Sequence, residues 1–235
     1  TGNEARPALV PRPRPDRIPL SLAQQRMWFA NRFDPASASY NIPLALRLEG
    51  ELDVSELQAA LADVLERHEV LRTTFPGSPD GAYQVVHGVE EAGVDLAVVP
   101  VDGEEELKRR IFEFATTGFD VTKTVPVRAA LFGADRDDHV LVIVIHHISA
   151  DGGSMAPLAR DLIVAYSART AGTAPNWEPL PVQFADFAVW EREVIGSDED
   201  PDSLASRQME YWKQTLDGLP DVLDLPLDRQ RTPGR

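Results

Sequence analysis

Val140-Leu-Val-Ile-Val-Ile-His146-His147-Ile-Ser-Ala-Asp151-Gly152 is the stretch on which the reading of this chain turns. Six β-favouring aliphatics in succession predict a buried strand. Neighbouring side chains on a strand point to opposite faces, so His146 and His147 part company where the strand ends. One imidazole is then presented to a loop that Asp151 and Gly152 shape. An imidazole so placed titrates near neutral pH and suits proton transfer or the positioning of a nucleophile. The competing reading is a hydrogen-bonded core histidine. A metal site is not expected, because two side chains on opposite faces do not share one ion, and the chain has no cysteine and no second cluster at ligand spacing.

Working outward, periodicity predicts an α/β layered domain, a sheet flanked by helices. Ser21 is a plausible N-cap for a helix carrying Leu22, Met27, Trp28, Phe29 and Phe33. Asn41 to Leu48 alternates as a strand does. Asp53 to His68 is an amphipathic helix with Leu57, Leu61, Val64 and Leu65 in one stripe. Further strands are expected at Leu71–Phe75, Tyr83–His87, Val94–Val99, Pro126–Phe132 and His139–Ile145, the last two joined by the turn Gly133–Asp138. Helices are expected at Glu104–Thr117, Ser154–Ala168, Gln183–Ile195 and Leu204–Leu216.

The 235 residues are 43% hydrophobic, enough for one large core or two small ones. The formal charge of −15 opposes nucleic-acid binding, which needs a basic footprint. No apolar run reaches the roughly 20 residues of a membrane span, and no signal segment stands at the N-terminus. A cytoplasmic location fits the absence of cysteine. Arg6 to Pro19 holds five prolines and four arginines, a composition that favours an extended, semi-stiff connector.

Four separated segments then fall into one order: Ser21-Leu-Ala-Gln-Gln-Arg-Met-Trp-Phe29, Arg67-His-Glu-Val-Leu-Arg72-Thr-Thr-Phe75, His146-His147-Ile-Ser-Ala-Asp151-Gly152 and Phe184-Ala-Asp-Phe-Ala-Val-Trp190. They resemble the first four motifs of the condensation domains of nonribosomal peptide synthetases. Phe119-Asp120 and Pro126-Val-Arg128 resemble the family's stretch before its active-site strand. The resemblance implies a chloramphenicol-acetyltransferase-like fold, in which two lobes meet in a V around a tunnel. It implies a Pro/Arg-rich interdomain linker over 1–19, an N-terminal lobe over 20–226, and at 227–235 the start of a connection to a second lobe that the chain lacks. On this reading the chain is an acyltransferase lobe, inactive by itself.

The implied reaction is attack by a carrier-bound aminoacyl amine on an upstream carrier-bound thioester, forming a peptide bond. His147 matches the active-site histidine, as base, positioner or stabiliser of the tetrahedral intermediate. His146 is expected to be structural. Asp151 is expected to shape the loop through an ion pair, with Arg67, Arg72 or an arginine of the missing lobe. A Gly152 or Gly153 amide is a candidate oxyanion donor, the alternative being a tight turn that needs glycine. Gly153 departs from the bulky aromatic common in relatives. Trp28 and Trp190 are expected in packing. The implied partners are upstream and downstream peptidyl carrier domains, with an adenylation domain and the second lobe in cis. No cofactor is expected to bind directly, since the carriers supply the phosphopantetheine arm. Ester formation on the same fold is one alternative. A non-catalytic module that recruits a partner protein is the other, disfavoured by the intact His-His-Asp-Gly signature.

Overall fold

A computed structural model describes residues 6–79, 81–96, 98–135, 137–220 and 226. In chain order the elements are β1 (Ile18–Pro19), α1 (Leu22–Phe33), β2 (Asn41–Glu49), α2 (Val54–Arg67), a 3-10 turn (Glu69–Arg72), β3 (Thr73–Thr74), β4 (Gly77–Ser78), β5 (Gly81–Val86) and α3 (Val89–Ala92). Then follow β6 (Val98–Pro100), α4 (Gly103–Thr116), β7 (Val127–Asp135), β8 (Asp138–His146), a 3-10 turn (Gly152–Ser154), α5 (Met155–Thr170), α6 (Phe184–Ile195) and α7 (Leu204–Thr215). The chain forms two compact units, Thr1–Glu193 and Val194–Arg235. The second contains α7, whose N-cap Ser203 accepts from the Ser206 amide.

The first unit is built on a sheet in the order β2-β8-β7-β6, with β8 antiparallel to both neighbours and β6 parallel to β7. A smaller sheet joins β1, β5 and β3, with β4 also on β5. Strand β8 is buried throughout Val140–His146, and its alternation divides the core. Leu141, Ile143 and Ile145 meet Leu57, Leu61, Val64 and Leu65 of α2 and Leu158 and Leu162 of α5. Val140, Val142 and Val144 meet Leu107 of α4, Phe119 and Phe132 on the opposite face. The layers are therefore α2 and α5, the sheet, and α4.

Most predicted elements are present with shifts of one or two residues. Ser21 closes a capping box, its hydroxyl accepting from the Gln24 amide while Gln24 Oε1 accepts from the Ser21 amide. Two predicted strands are shorter than expected. Over Leu71–Phe75 only Thr73–Thr74 is extended, because Thr73 Oγ1 donates to the Glu69 carbonyl (2.7 Å) and closes a turn ahead of it. Over Val94–Val99, Gln58 of α2 accepts from the Leu96 amide (2.5 Å) and donates to the Val94 carbonyl (3.0 Å). Those are the groups a ladder would have used, and pairing begins only at Val98. The turn expected at Gly133–Asp138 is narrower, because both strands run on into it.

Helix α4 has no basic residue in its last turn. Its C-terminal carbonyls are met from outside: Arg128 of β7 donates to Phe114 O and Thr117 O, and Asn41 Nδ2 to Ala115 O and Thr117 O. The Arg128 guanidinium also lies 4.1 Å from the centre of the Phe119 ring. Gly118, just past this cap, lies against the Pro35–Ala36 backbone. A Cβ there would stand 2.6 Å from Ala36 C and 2.7 Å from Ala36 O, and would also press on the Pro35 carbonyl oxygen.

The proline-rich segment is extended, as its composition predicts, but from residue 7 onward it lies along the unit rather than standing away from it. Trp190 Nε1 donates to the Pro7 carbonyl (2.6 Å), and Arg12 pairs with Glu193. Arg14 bridges Asp186 (2.9 Å) and Glu69 (2.7 Å). Residues 1–5 and the junction expected at 227–235 lie outside the described residues.

At the end of β8, His146 is 1% exposed. Its ring lies between Tyr40 and Phe119, with centroids 6.0 and 6.1 Å away, and Nδ1 accepts from the Ile148 amide (3.1 Å). Burial, with a smaller push from His147, lowers its pKa to about 4.

Two outcomes follow. Gly118→Ala should cost about 1–3 kcal/mol of stability by urea unfolding, as overpacking does; an unchanged midpoint would mean that the two backbones part freely. In acid, unfolded chains protonate His146 first, so its contribution is complete above the ordinary histidine pKa of about 6.5 and fades as pH falls toward about 4. Its size is on the order of 3 kcal/mol. His146→Phe should flatten the stability profile over that interval, and an unaltered slope would contradict the assignment.

Candidate functional site

The face-splitting expected of the two histidines is observed. His146 falls on the α4 side with Phe119, whereas His147 falls on the side of α2 and α5 and is exposed. The His147 backbone amide donates to the Tyr40 carbonyl (2.8 Å), which fixes the main chain where the ladder ends. Its ring lines a cavity of about 700 Å³. The walls are largely apolar: Met27 of α1, Val70 and Leu71, Met155 and Leu158 of α5, and Phe184 and Phe187 of α6. Among the described residues no side chain is hydrogen-bonded to the His147 imidazole, so its lone pair and proton are available to whatever enters. Among the described residues no three His, Cys, Asp or Glu side chains gather closely enough to hold a metal ion.

Asp151 is exposed and caps the turn that follows it. Its Oδ1 accepts from the Ser154 amide (2.9 Å) and hydroxyl (2.6 Å), and Ser154 Oγ accepts from the Asp151 amide (3.1 Å). The Ser154 hydroxyl, against a small burial cost, holds the carboxyl below the usual carboxylate range. The ion pair expected between Asp151 and Arg67 or Arg72 is not formed. Arg67 Nε instead meets Asp161 Oδ2 at 2.9 Å, its NH1 reaches the Glu178 carbonyl, and the guanidinium stacks over Trp177. Arg72 donates to the carbonyls of Leu65 and His87. The reason is burial. Asp161, 5% exposed and opposite the end of α2, needs a counter-charge, whereas Asp151 is solvated and locally satisfied.

The tight-turn explanation of the glycines also fails, since neither Gly152 nor Gly153 has positive φ. A Cβ at Gly152 would touch nothing within 4 Å, and at Gly153 only Asp151 Oδ1 at 3.4 Å. The open space there is available to a ligand or to another segment. Gly153 lines the cavity; Gly152, Arg67, Arg72 and Trp190 do not. Trp28 donates through Nε1 to the Phe75 carbonyl, and Trp190 to Pro7, with the Trp190 ring 5.8 Å from Phe187. The fold thus gathers His147, Asp151 and Gly153 and sets His146 behind them.

Sequence reading placed Gln24 on the first helix with a folding role, and it missed His68, Ser149 and Gln183 on the cavity wall. Gln24 and Gln183 are spent on the main chain, at Ser21 and Ile148 and at Glu69 and Arg67. The Ser149 hydroxyl is buried without a partner among the described residues. His68 was legible only as the residue after Arg67 at a helix end. Nothing in the sequence marked Gln183 as a cavity residue.

Residues 15–235 match the Condensation domain family. A probable non-canonical nonribosomal peptide synthetase of Salinispora arenicola, CymA, is 49% identical over 227 residues, 97% of this chain and 3% of the relative. A dimodular nonribosomal peptide synthase of Bacillus subtilis is 46% identical over 96% of this chain and 9% of its own length. Among solved structures, the X-domain in complex with OxyB from teicoplanin biosynthesis superposes with a TM-score of 0.88 at 42% identity, over 98% of this chain and 50% of that one. The starter condensation domain of rhizomide synthetase RzmA gives 0.74 at 21% identity, over 88% and 49%, a likeness of fold alone. The chain spans about half the length of these structural neighbours and a small part of the curated relatives. With the family matched along all but its first residues, and the motif histidine found on the wall of a cavity, the chain belongs to the condensation-domain family of nonribosomal peptide synthetases.

Proposed function

We propose that this chain supplies the histidine-bearing wall of a chamber in which a peptide bond is made. The acceptor is an aminoacyl amine on a downstream carrier, and the donor an acyl or peptidyl thioester on an upstream one. The observation that carries this reading is the exposed His147 ring, rigidly mounted at a strand end and facing an apolar cavity of about 700 Å³. That volume suits an extended arm with its acyl group. A thioester is already activated and an amine is a competent nucleophile. Holding the two together therefore supplies much of the rate, with effective molarities of about 10⁵ M or more within reach. His147 holds the amine and takes its proton as the C–N bond forms. Asp151, through its bonds to Ser154, keeps the loop after His147 in register. The phosphopantetheine arms arrive with the carrier domains, as substrate. An adenylation domain and a second lobe in cis complete the machinery, in the cytoplasm.

A second reading has its own support. The 42% identity and TM-score of 0.88 are to an X-domain seen with OxyB, so recruitment of a partner enzyme is the alternative role.

The full-length domain, given loaded donor and acceptor carriers and followed by mass spectrometry, separates the two. Condensation should be observed, and His147→Ala should slow it about 100-fold or more. Peptide formation at an undiminished rate in that variant would remove His147 from the chemistry. An inactive full-length domain that binds a trans-acting enzyme would favour recruitment.

A further inference from the structure

We infer that His68 is a second base in this chamber, which takes the first of two protons that the attacking nitrogen sheds; the inference rests on the peptide-bond reading above. An α-amine has an ordinary pKa of about 7.7–8.0 and so arrives largely as ammonium near neutral pH. Going from that ammonium to an amide removes two protons from nitrogen. The first must leave before a lone pair exists. The lone pair then forms the C–N bond, the C–S bond breaks, and sulfur leaves as thiolate. The second proton passes to the sulfur to give the thiol, and the first ends in water. His147, moving the second proton, does not at the same moment hold the first.

His68 is placed to hold it. The residue caps α2, and its ring lines the same cavity as His147. Nε2 lies 2.9 Å from Asp161 Oδ2, and a carboxylate only accepts, so the ring proton sits on Nε2. That leaves Nδ1 with its lone pair as the ring's uncommitted nitrogen among the described residues. Asp161 is 5% exposed and is also held by Arg67 Nε at 2.9 Å. Although burial works against it, hydrogen bonds from His68 and Arg67 keep its carboxyl ionised below the usual range. A buried carboxylate behind an imidazole fixes the tautomer and stabilises the imidazolium once it forms, as in hydrolase triads. The other charged groups around the ring are Arg67 beside it, Arg160 of α5 on Asp161 Oδ1, and Glu69 paired with Arg14. His147, Arg26 and Asp151 line the same cavity. Among the described residues Asp161 is the one charged side chain hydrogen-bonded to the imidazole.

The rival role is a plain tie between α2 and α5, and the pH profile separates the two. Condensation by the full-length domain with loaded carriers would be followed from about pH 6.5 to 9, for the wild type, His68→Gln, which keeps a donor for Asp161, and His68→Asn as a second variant should the first fold poorly. The expected result is a loss of about 10-fold or more at the acid end. It should shrink to within about 2-fold by pH 9, where the solvent has already taken the proton from the ammonium. His147→Ala should show no such recovery. A loss by one constant factor at every pH, or no loss, overturns the role of His68 while leaving peptide-bond formation standing. A wild type that makes no peptide removes both.

Discussion

The pairing of β8 on both edges is the constraint on which the rest depends. Asn41–Glu49 and Val127–Asp135 flank it in antiparallel register, so the strand can neither slide nor rotate without emptying two cores at once. One core lies under α2 and α5, the other under α4. A one-residue slip would exchange the faces of His146 and His147, sealing the ring that lines the cavity and bringing the buried one to the surface. The position of a single imidazole is thus set by the packing of the whole first unit.

Around that ring the protein supplies surface and shape more than charge. The cavity walls are aliphatic and aromatic, and most polar groups that reach them are already occupied by the main chain or by one another. Asp151 is satisfied by Ser154, Gln24 by the Ser21 box, Gln183 by the end of α2. In the proposed role such a chamber orients an apolar chain without competing for its polar atoms. The groups left with free valence among the described residues then stand out: the two imidazoles, Arg26, and the hydroxyl of Ser149.

Sequence patterning revealed the framework because its signals are local. Six aliphatics followed by two histidines define β8 and its end, and the 3.6-residue stripe of Leu57, Leu61, Val64 and Leu65 defines α2. Capping at Ser21 was equally legible. Partner choice was not, because it depends on which groups tertiary packing buries together. Arg67 was linked to Asp151 because each lies in a recognised motif, yet it meets Asp161, a residue in no recognised motif, because α2 and α5 pack side by side. The first part of the strand expected at Val94–Val99 was taken by one glutamine on a distant helix, which leaves no periodic trace. The histidine pair separated by face as the two-residue period requires, and the resemblance to the family located it.

The strap formed by residues 7–19 bears on how such domains are joined into chimeras. Arg14 lies 172 positions before Asp186, yet its guanidinium is the counter-charge for that buried carboxylate and for Glu69. The same helix carries Phe184 and Phe187 on the cavity wall. A fusion junction drawn at residue 20, where the motifs begin, would discard the cation and strand the acids beneath the helix. A boundary ahead of Pro7 keeps the strap with the unit it braces.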